Sequence, residues 1–110
     1  MSEHDQQVAF FKWFRMAHPK IIAFATPNAG KRNLISGKRL KDEGMLAGIP
    51  DIMIADGNPG LFIEMKFGKN KTTKLQDEMI DGLKLAGYRV EICYSWIDAK
   101  QVSEDYLRIK

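Results

Sequence analysis

The chain has 110 residues, 45% of them hydrophobic, and a formal net charge of +3. That is one domain's worth of chain, residues 1–110, with a normal apolar share for a core and a mild basic excess that leans toward an anionic partner. The single cysteine, Cys93, excludes an internal disulfide framework and a cysteine-based zinc cluster; with no signal peptide and no apolar run near ~18 residues, the chain reads as soluble and cytoplasmic, with no membrane partner.

In chain order, residues 3–17 follow a helical period, with Val8, Phe11, Phe14 and Ala17 in one stripe that Phe10 and Trp13 widen. Ser2 is the expected N-cap and Pro19 marks the end. The run IIAFA (21–25) reads as a buried strand stopped by TPNAG (26–30). Residues 31–47 are basic and amphipathic, with a helix expected over 36–43. A hairpin follows: a strand at 52–55, the turn GNPG at 57–60, and a second strand at 61–67. In the second strand Leu61, Ile63, Met65 and Phe67 alternate onto one face, and Phe62, Glu64 and Lys66 onto the other. A basic loop leads to a helix over 74–86, with Leu75, Met79, Leu83 and Ala86 in its stripe and Gly87 as its stop. The run YRVEICYSW (88–96) is a strand and 98–106 a short final helix. The order α-β-(α)-β-β-α-β-α predicts an α/β fold, a mixed sheet flanked by helices.

Charges interrupt the otherwise apolar hairpin, and burying a charge is costly without a purpose. Glu64 and Lys66 share a strand face whatever the register, because side chains alternate. Asp51 joins them if the turn has even parity: a four-residue loop would pair Asp56 with Leu61 and Asp51 with Lys66, leaving Glu64 diagonally adjacent. An odd loop without a bulge would put Asp51 on the opposite face. Two carboxylates and a lysine on one patch suit phosphodiester hydrolysis. Carboxylates, and a backbone carbonyl such as that of Met65, are hard oxygen ligands for Mg²⁺ or Mn²⁺. Such an ion polarises a phosphoryl oxygen and acidifies a bound water, and a lysine can orient that water or neutralise the transition state. The bland alternative is an exposed strand with an ordinary Glu and Lys, opened by a turn at Pro-Asp.

Pro50-Asp51 followed by Glu64-Met65-Lys66 resembles the PD-(D/E)xK signature of restriction-endonuclease-like nucleases. More widely, the chain resembles the VRR-NUC (virus-type replication-repair nuclease) family. The likeness rests on five ordered elements: Glu3 and Gln7 in EHDQQVAFFKW, Pro27-Asn28-Ala29-Gly30 with Lys31-Arg32, Leu40-Lys41-x-Glu43-Gly44 leading into Gly48-x-Pro50-Asp51, the Glu64-x-Lys66 strand, and Gln76. The resemblance implies that Asp51, Glu64 and the Met65 carbonyl bind metal, with Glu3 an additional acid acting directly or through water. It also implies that Lys66 is the catalytic lysine and that Gln76 completes the active site. Small stand-alone members of the family are often phage-encoded and act as dimers on structured DNA such as four-way (Holliday) junctions; larger members carry the domain in repair nucleases. The expectation is therefore a Mg²⁺- or Mn²⁺-dependent homodimeric endodeoxyribonuclease for branched DNA, in a bacterial host cell if phage-encoded. The rivals are a non-catalytic DNA-binding module on the same fold, and a nuclease for flaps or single strands.

Several flanking residues carry structural readings as well. Thr73-Lys74-Leu75-Gln76 fits a capping box, a role that can coexist with a catalytic one. Glu3 suits a helix N-terminus through the macrodipole. GKRNLISGKR fails the phosphate-loop spacing, since six residues separate Gly30 from Gly37 and Arg39 stands where Ser or Thr is needed, so no nucleotide cofactor is expected. Asn28, Lys31 and Arg32, with Lys69, Lys71 and Lys74, are the expected DNA contacts, positioning the backbone rather than reading sequence. His4 and His18 are expected to face solvent, and Trp13 and Phe14 to lie in the core.

Overall fold

Four strands form one mixed sheet in the order β1-β2-β3-β4 in the computed structural model. The elements are α1 (Glu3–Ala17), β1 (Ile22–Ala25), α2 (Leu34–Asp42), β2 (Ile52–Ala55), β3 (Leu61–Met65), α3 (Lys74–Leu85), β4 (Arg89–Cys93) and α4 (Trp96–Arg108). The structure describes residues 1–26, 34–57 and 59–108, and for 34–36 the backbone alone. Strands β1, β2 and β3 are successively antiparallel, whereas β4 runs parallel to β3. A parallel neighbour requires a crossover rather than a tight turn, and α3 supplies it. This is the mixed sheet flanked by helices that the sequence predicts. No helix among the described residues is long and apolar enough to cross a membrane.

Strand alternation divides the core in two. Ala23, Ile52, Ile54, Leu61, Ile63, Met65 and Cys93 meet Phe10 and Phe14 of α1 and Ala99 and Tyr106 of α4 on one face. Phe62 and Val90 meet Ile80 of α3 on the other, with Met53, Leu83 and Ile49 at the margin. Every residue of β3 is buried, because helices cover both of its faces.

Capping explains the helix starts. Ser2 and Asp5 close a capping box on α1, and Thr73 and Gln76 close one on α3. Gly87, at φ 99°, takes the left-handed conformation that stops α3.

Several expectations shift. The centre of the α1 stripe is Phe10 and Phe14, while Val8 and Ala17 are exposed. In α3 it is Ile80, with Leu75 and Ala86 exposed. The segment expected as a buried strand at 21–25 is an edge strand in which only Ala23 is buried, since α3 reaches over β3 and β4 but not that far. Strand β3 ends at Met65, so Phe67 lies beyond it and is exposed. The final helix is longer than expected and starts at Trp96, which is half-buried against the main core. His18 does not simply face solvent: its ring stands edge-on to Trp13, with centroids 5.6 Å apart.

Candidate active site

The hairpin ladder pairs Ile52 with Ile63, Met53 with Phe62 and Ile54 with Leu61. Continued by one residue, it sets Asp51 directly across from Glu64. This corrects the predicted register, in which Asp51 faced Lys66: the ladder is shifted by two residues and ends at Ile54 and Leu61. A shift of two preserves the alternation, so Asp51, Glu64 and Lys66 do share one face. That face is the one beneath α3.

Two hydrogen bonds at the end of β1 fix the entry of Asp51. The Thr26 amide donates to the Asp51 carbonyl at 2.8 Å, and the Thr26 hydroxyl donates to the Pro50 carbonyl. Thr26 was not legible as a supporting residue, because its part depends on β1 pairing with β2. Gly48, at φ 83°, brings the same segment against α3: a Cβ there would lie 2.9 Å from Leu75 Cγ and 3.2 Å from the Leu75 carbonyl oxygen. The start of α3, and with it Gln76, can approach Asp51 only because that Cβ is missing.

Both carboxylates are almost sealed from solvent, with Asp51 7% and Glu64 2% exposed. The Met65 amide donates to Asp51 Oδ2 at 2.8 Å. Because the Lys66 amide donates to Cys93 in β4 and N–H groups alternate sides along a strand, Met65 turns its peptide groups toward the β2 side, where Asp51 stands. Glu64 Oε2 accepts from Gln76 Nε2 at 3.3 Å and lies 3.7 Å from Lys66 Nζ. Lys66 Nζ donates to Gln76 Oε1 at 2.8 Å. That same Oε1 accepts from the Thr73 amide at 2.9 Å. Gln76 is therefore both helix cap and bridge, and the cap holds its amide in place for Lys66 and Glu64.

Burial, then the neighbouring Asp51 charge, pushes the Glu64 carboxyl up to about 8, against the downward pull of Lys66. Glu3, in the first turn of α1, adds the smallest upward push. Two adjacent buried carboxylates share a single ammonium, that of Lys66, and their hard oxygens suit a divalent cation. Among the described residues no three His, Cys, Asp or Glu side chains converge on one point. The donors brought together are thus Asp51 and Glu64, with the Met65 backbone beside them.

Lys69, Lys71 and Lys74 are exposed around the loop that follows β3. Asn28, Lys31 and Arg32 lie outside the described residues. Cys93 is buried on the opposite face of the sheet, and burial, with Asp98 and Glu91 nearby, pushes its thiol up to about 12, where it is inert.

Comparison with known proteins bears on the family and the fold. The model of the VRR-NUC domain family matches residues 4–96. No curated protein matches the chain. A solved structure described as a "VRR_NUC domain protein" is similar with a TM-score of 0.79 and 23% identity, over 98% of this chain and 89% of that one. At that identity the likeness concerns the fold: the four-stranded mixed sheet and its flanking helices.

Proposed function

The chain belongs to the VRR-NUC domain family, and we propose that it is a divalent-metal-dependent endodeoxyribonuclease that hydrolyses phosphodiester bonds in branched DNA such as four-way junctions. The observation that carries this reading is the burial of Asp51 opposite Glu64, with Lys66 Nζ 3.7 Å from Glu64 and 2.8 Å from Gln76. A pair of carboxylates would not be sealed under a helix as an ordinary strand surface. Asp51, Glu64 and the Met65 carbonyl would hold Mg²⁺ or Mn²⁺, with Glu3 an additional acid acting directly or through water. When bound, that ion supplies Lewis-acid polarisation of the phosphoryl oxygen and a more acidic water.

The chain's own groups do the rest. Gln76 locks Lys66 and Glu64 in one arrangement, so their positions need not be found anew at each turnover. Lys66 presents its ammonium where charge develops on the scissile phosphate, or orients the attacking water. The Met65 amide keeps Asp51 turned toward Glu64. Exposed Lys69 and Lys71, with Asn28, Lys31 and Arg32, would hold flanking phosphates without reading bases. Two copies in a homodimer would set two such sites on two strands, which suits symmetric cutting of a junction in DNA repair or replication.

A cleavage panel tests this: four-way junction, flap, splayed duplex, linear duplex and single strand, each with Mg²⁺, Mn²⁺ or EDTA. Cutting is expected on branched DNA with either ion and none in EDTA. Lys66→Ala should lower turnover by a factor of at least about 100 while DNA is still bound. Metal-independent cutting, or full turnover by Lys66→Ala, would refute the assignment. Cleavage confined to flaps or single strands would keep the chemistry and replace the substrate.

A further inference from the structure

The carboxylate pair is flanked on one side by β2, and on the other by β4, an edge of the sheet. The parallel ladder pairs Glu64 with Ile92 and Met65 with Cys93. The Lys66 amide donates to the Cys93 carbonyl at 2.8 Å, the bond that closes the Met65–Cys93 pair, and β4 ends there, so Tyr94 is the first residue past the strand. Neighbouring strands lie about 4.8 Å apart, so Ile92 is the immediate neighbour of Glu64, and Tyr94 follows the residue whose carbonyl accepts from Lys66.

Alternation gives their direction. Cys93 packs into the core beneath α1 and α4, while Val90 packs beneath α3 with Phe62. Ile92 therefore projects on the α3 face, together with Glu64, and Tyr94 follows the end of β4, next to the carbonyl that accepts from the Lys66 amide. Yet α3, which covers Val90 and bonds Glu64 and Lys66 through Gln76, leaves the end of β4 open: Ile92 is 40% and Tyr94 48% exposed. The buried carboxylates thus border an open shelf, one aliphatic and one aromatic side chain wide, at the edge of the sheet. Core packing does not require an exposed tyrosine at that position.

Resting on the nuclease reading above, we propose that Tyr94, backed by Ile92, is a nucleobase subsite that receives an unpaired base next to the scissile phosphate. A phosphate held at Glu64 and Lys66 would be separated by only one sugar from the base of its own nucleotide, so the end of β4, one strand spacing away, would lie within that base's reach. A π face accepts any base, so the subsite reads no sequence. What it requires is a base free of its stack, because a base inside a duplex cannot lie flat on a protein ring. Branch points, flaps and single strands offer such bases, and continuous duplex does not. Tyr94 is then a specificity-determining residue for DNA structure.

The test uses the full chain with Tyr94→Ala, Tyr94→Leu and Tyr94→Phe, on junction and single-stranded oligonucleotides carrying 2-aminopurine at each nucleotide flanking the cut. Wild type and Tyr94→Phe should quench 2-aminopurine at one of these positions. Tyr94→Ala and Tyr94→Leu should lose that quench and raise KM about 5- to 100-fold with kcat nearly unchanged, the range set by stacking of one base on one ring. Equal KM and quench in wild type and Tyr94→Ala would overturn the proposal, as would full activity in Tyr94→Leu, since an apolar surface without a ring would then suffice. It would equally be overturned if Tyr94→Ala changed the mass seen by light scattering and left the quench intact, because a second copy would then own the surface. A wild type that quenches the probe but cuts nothing would overturn the nuclease reading while keeping the subsite. A wild type that cuts, with Tyr94→Ala cutting identically, would overturn the subsite alone.

Discussion

Replacing Glu64 by Gln should stabilise the metal-free protein at alkaline pH while removing its response to a divalent ion. The Glu64 carboxyl is raised from 4.5 to about 8 by burial and by Asp51. A carboxyl raised in the folded state stabilises it at low pH, and that contribution is lost as pH climbs from 4.5 toward 8. At 1.36 kcal/mol per pH unit the whole interval amounts to at most about 5 kcal/mol. Relaxation around the Asp51–Glu64 pair lowers the expected loss to about 2 kcal/mol. The side-chain amide introduced by Glu64→Gln would mimic the protonated acid: its oxygen can still accept from Gln76, and its NH₂ group can face Asp51 without repulsion. In EDTA the two proteins should have similar stability at pH 5, and the variant should be ahead by about 2 kcal/mol at pH 8. For a domain of this size that corresponds to roughly 8 °C in Tm. Urea unfolding followed by tryptophan fluorescence is the assay, since Trp13 and Trp96 both pack against the main core. Added Mg²⁺ should stabilise the wild type at pH 8 and leave Glu64→Gln unmoved. The reasoning is refuted if wild-type stability in EDTA stays flat or rises from pH 5 to pH 8, or if Glu64→Gln follows the same slope.

Gly48→Ala should cost about 2–3 kcal/mol, because it joins a left-handed backbone at φ 83° to a Cβ pressed against the Leu75 backbone. Gly44→Ala, at φ 107° with nothing within 4 Å, is the control and should cost only the backbone strain; equal urea midpoints for the two would show that close approach to α3 is not the constraint. The Tyr106 hydroxyl is within hydrogen-bond reach of the Asp56 and Pro59 carbonyls across the β2–β3 connection. Tyr106→Phe should cost about 1 kcal/mol and speed amide exchange in residues 55–61, and unchanged exchange there would dissociate α4 from the turn.

What the sequence made legible was what depends on local periodicity. Ser2, Thr73 and Gly87 mark helix ends that side-chain hydrogen bonds or glycine's backbone freedom decide within a few residues, and the structure keeps them. Lateral position was not legible. IIAFA reads as a buried strand because its side chains are apolar, yet the exposure of Ile22 and Phe24 follows from β1 lying at the sheet edge, beyond the reach of α3. Tyr94 escaped notice for a related reason: the end of β4 is brought to the site only through the parallel pairing of β3 with β4, set by a crossover of more than 20 residues.

The hairpin shows why the site was readable even though its register was not. GNPG suggests a tight turn, and a tight turn would set Asp51 opposite Lys66. The observed ladder ends earlier, at Ile54 and Leu61, and Tyr106 reaches the turn carbonyls from α4, a helix far away in sequence. Local turn chemistry alone cannot weigh that distant hydroxyl. But the alternatives that keep Ile52 and Ile54 facing the main core differ by two residues, never by one, because a one-residue slip would turn both isoleucines away from it and put Asp51, Met53 and Ala55 in their place. Hydrophobic alternation therefore guarantees that Asp51 shares a face with Glu64 and Lys66, whichever even register the turn adopts. The turn and Tyr106 then decide the finer point: Asp51 faces a carboxylate rather than the lysine. That choice sets two acids side by side with one ammonium, Lys66, 3.7 Å from Glu64, and leaves a charge for a cation to balance.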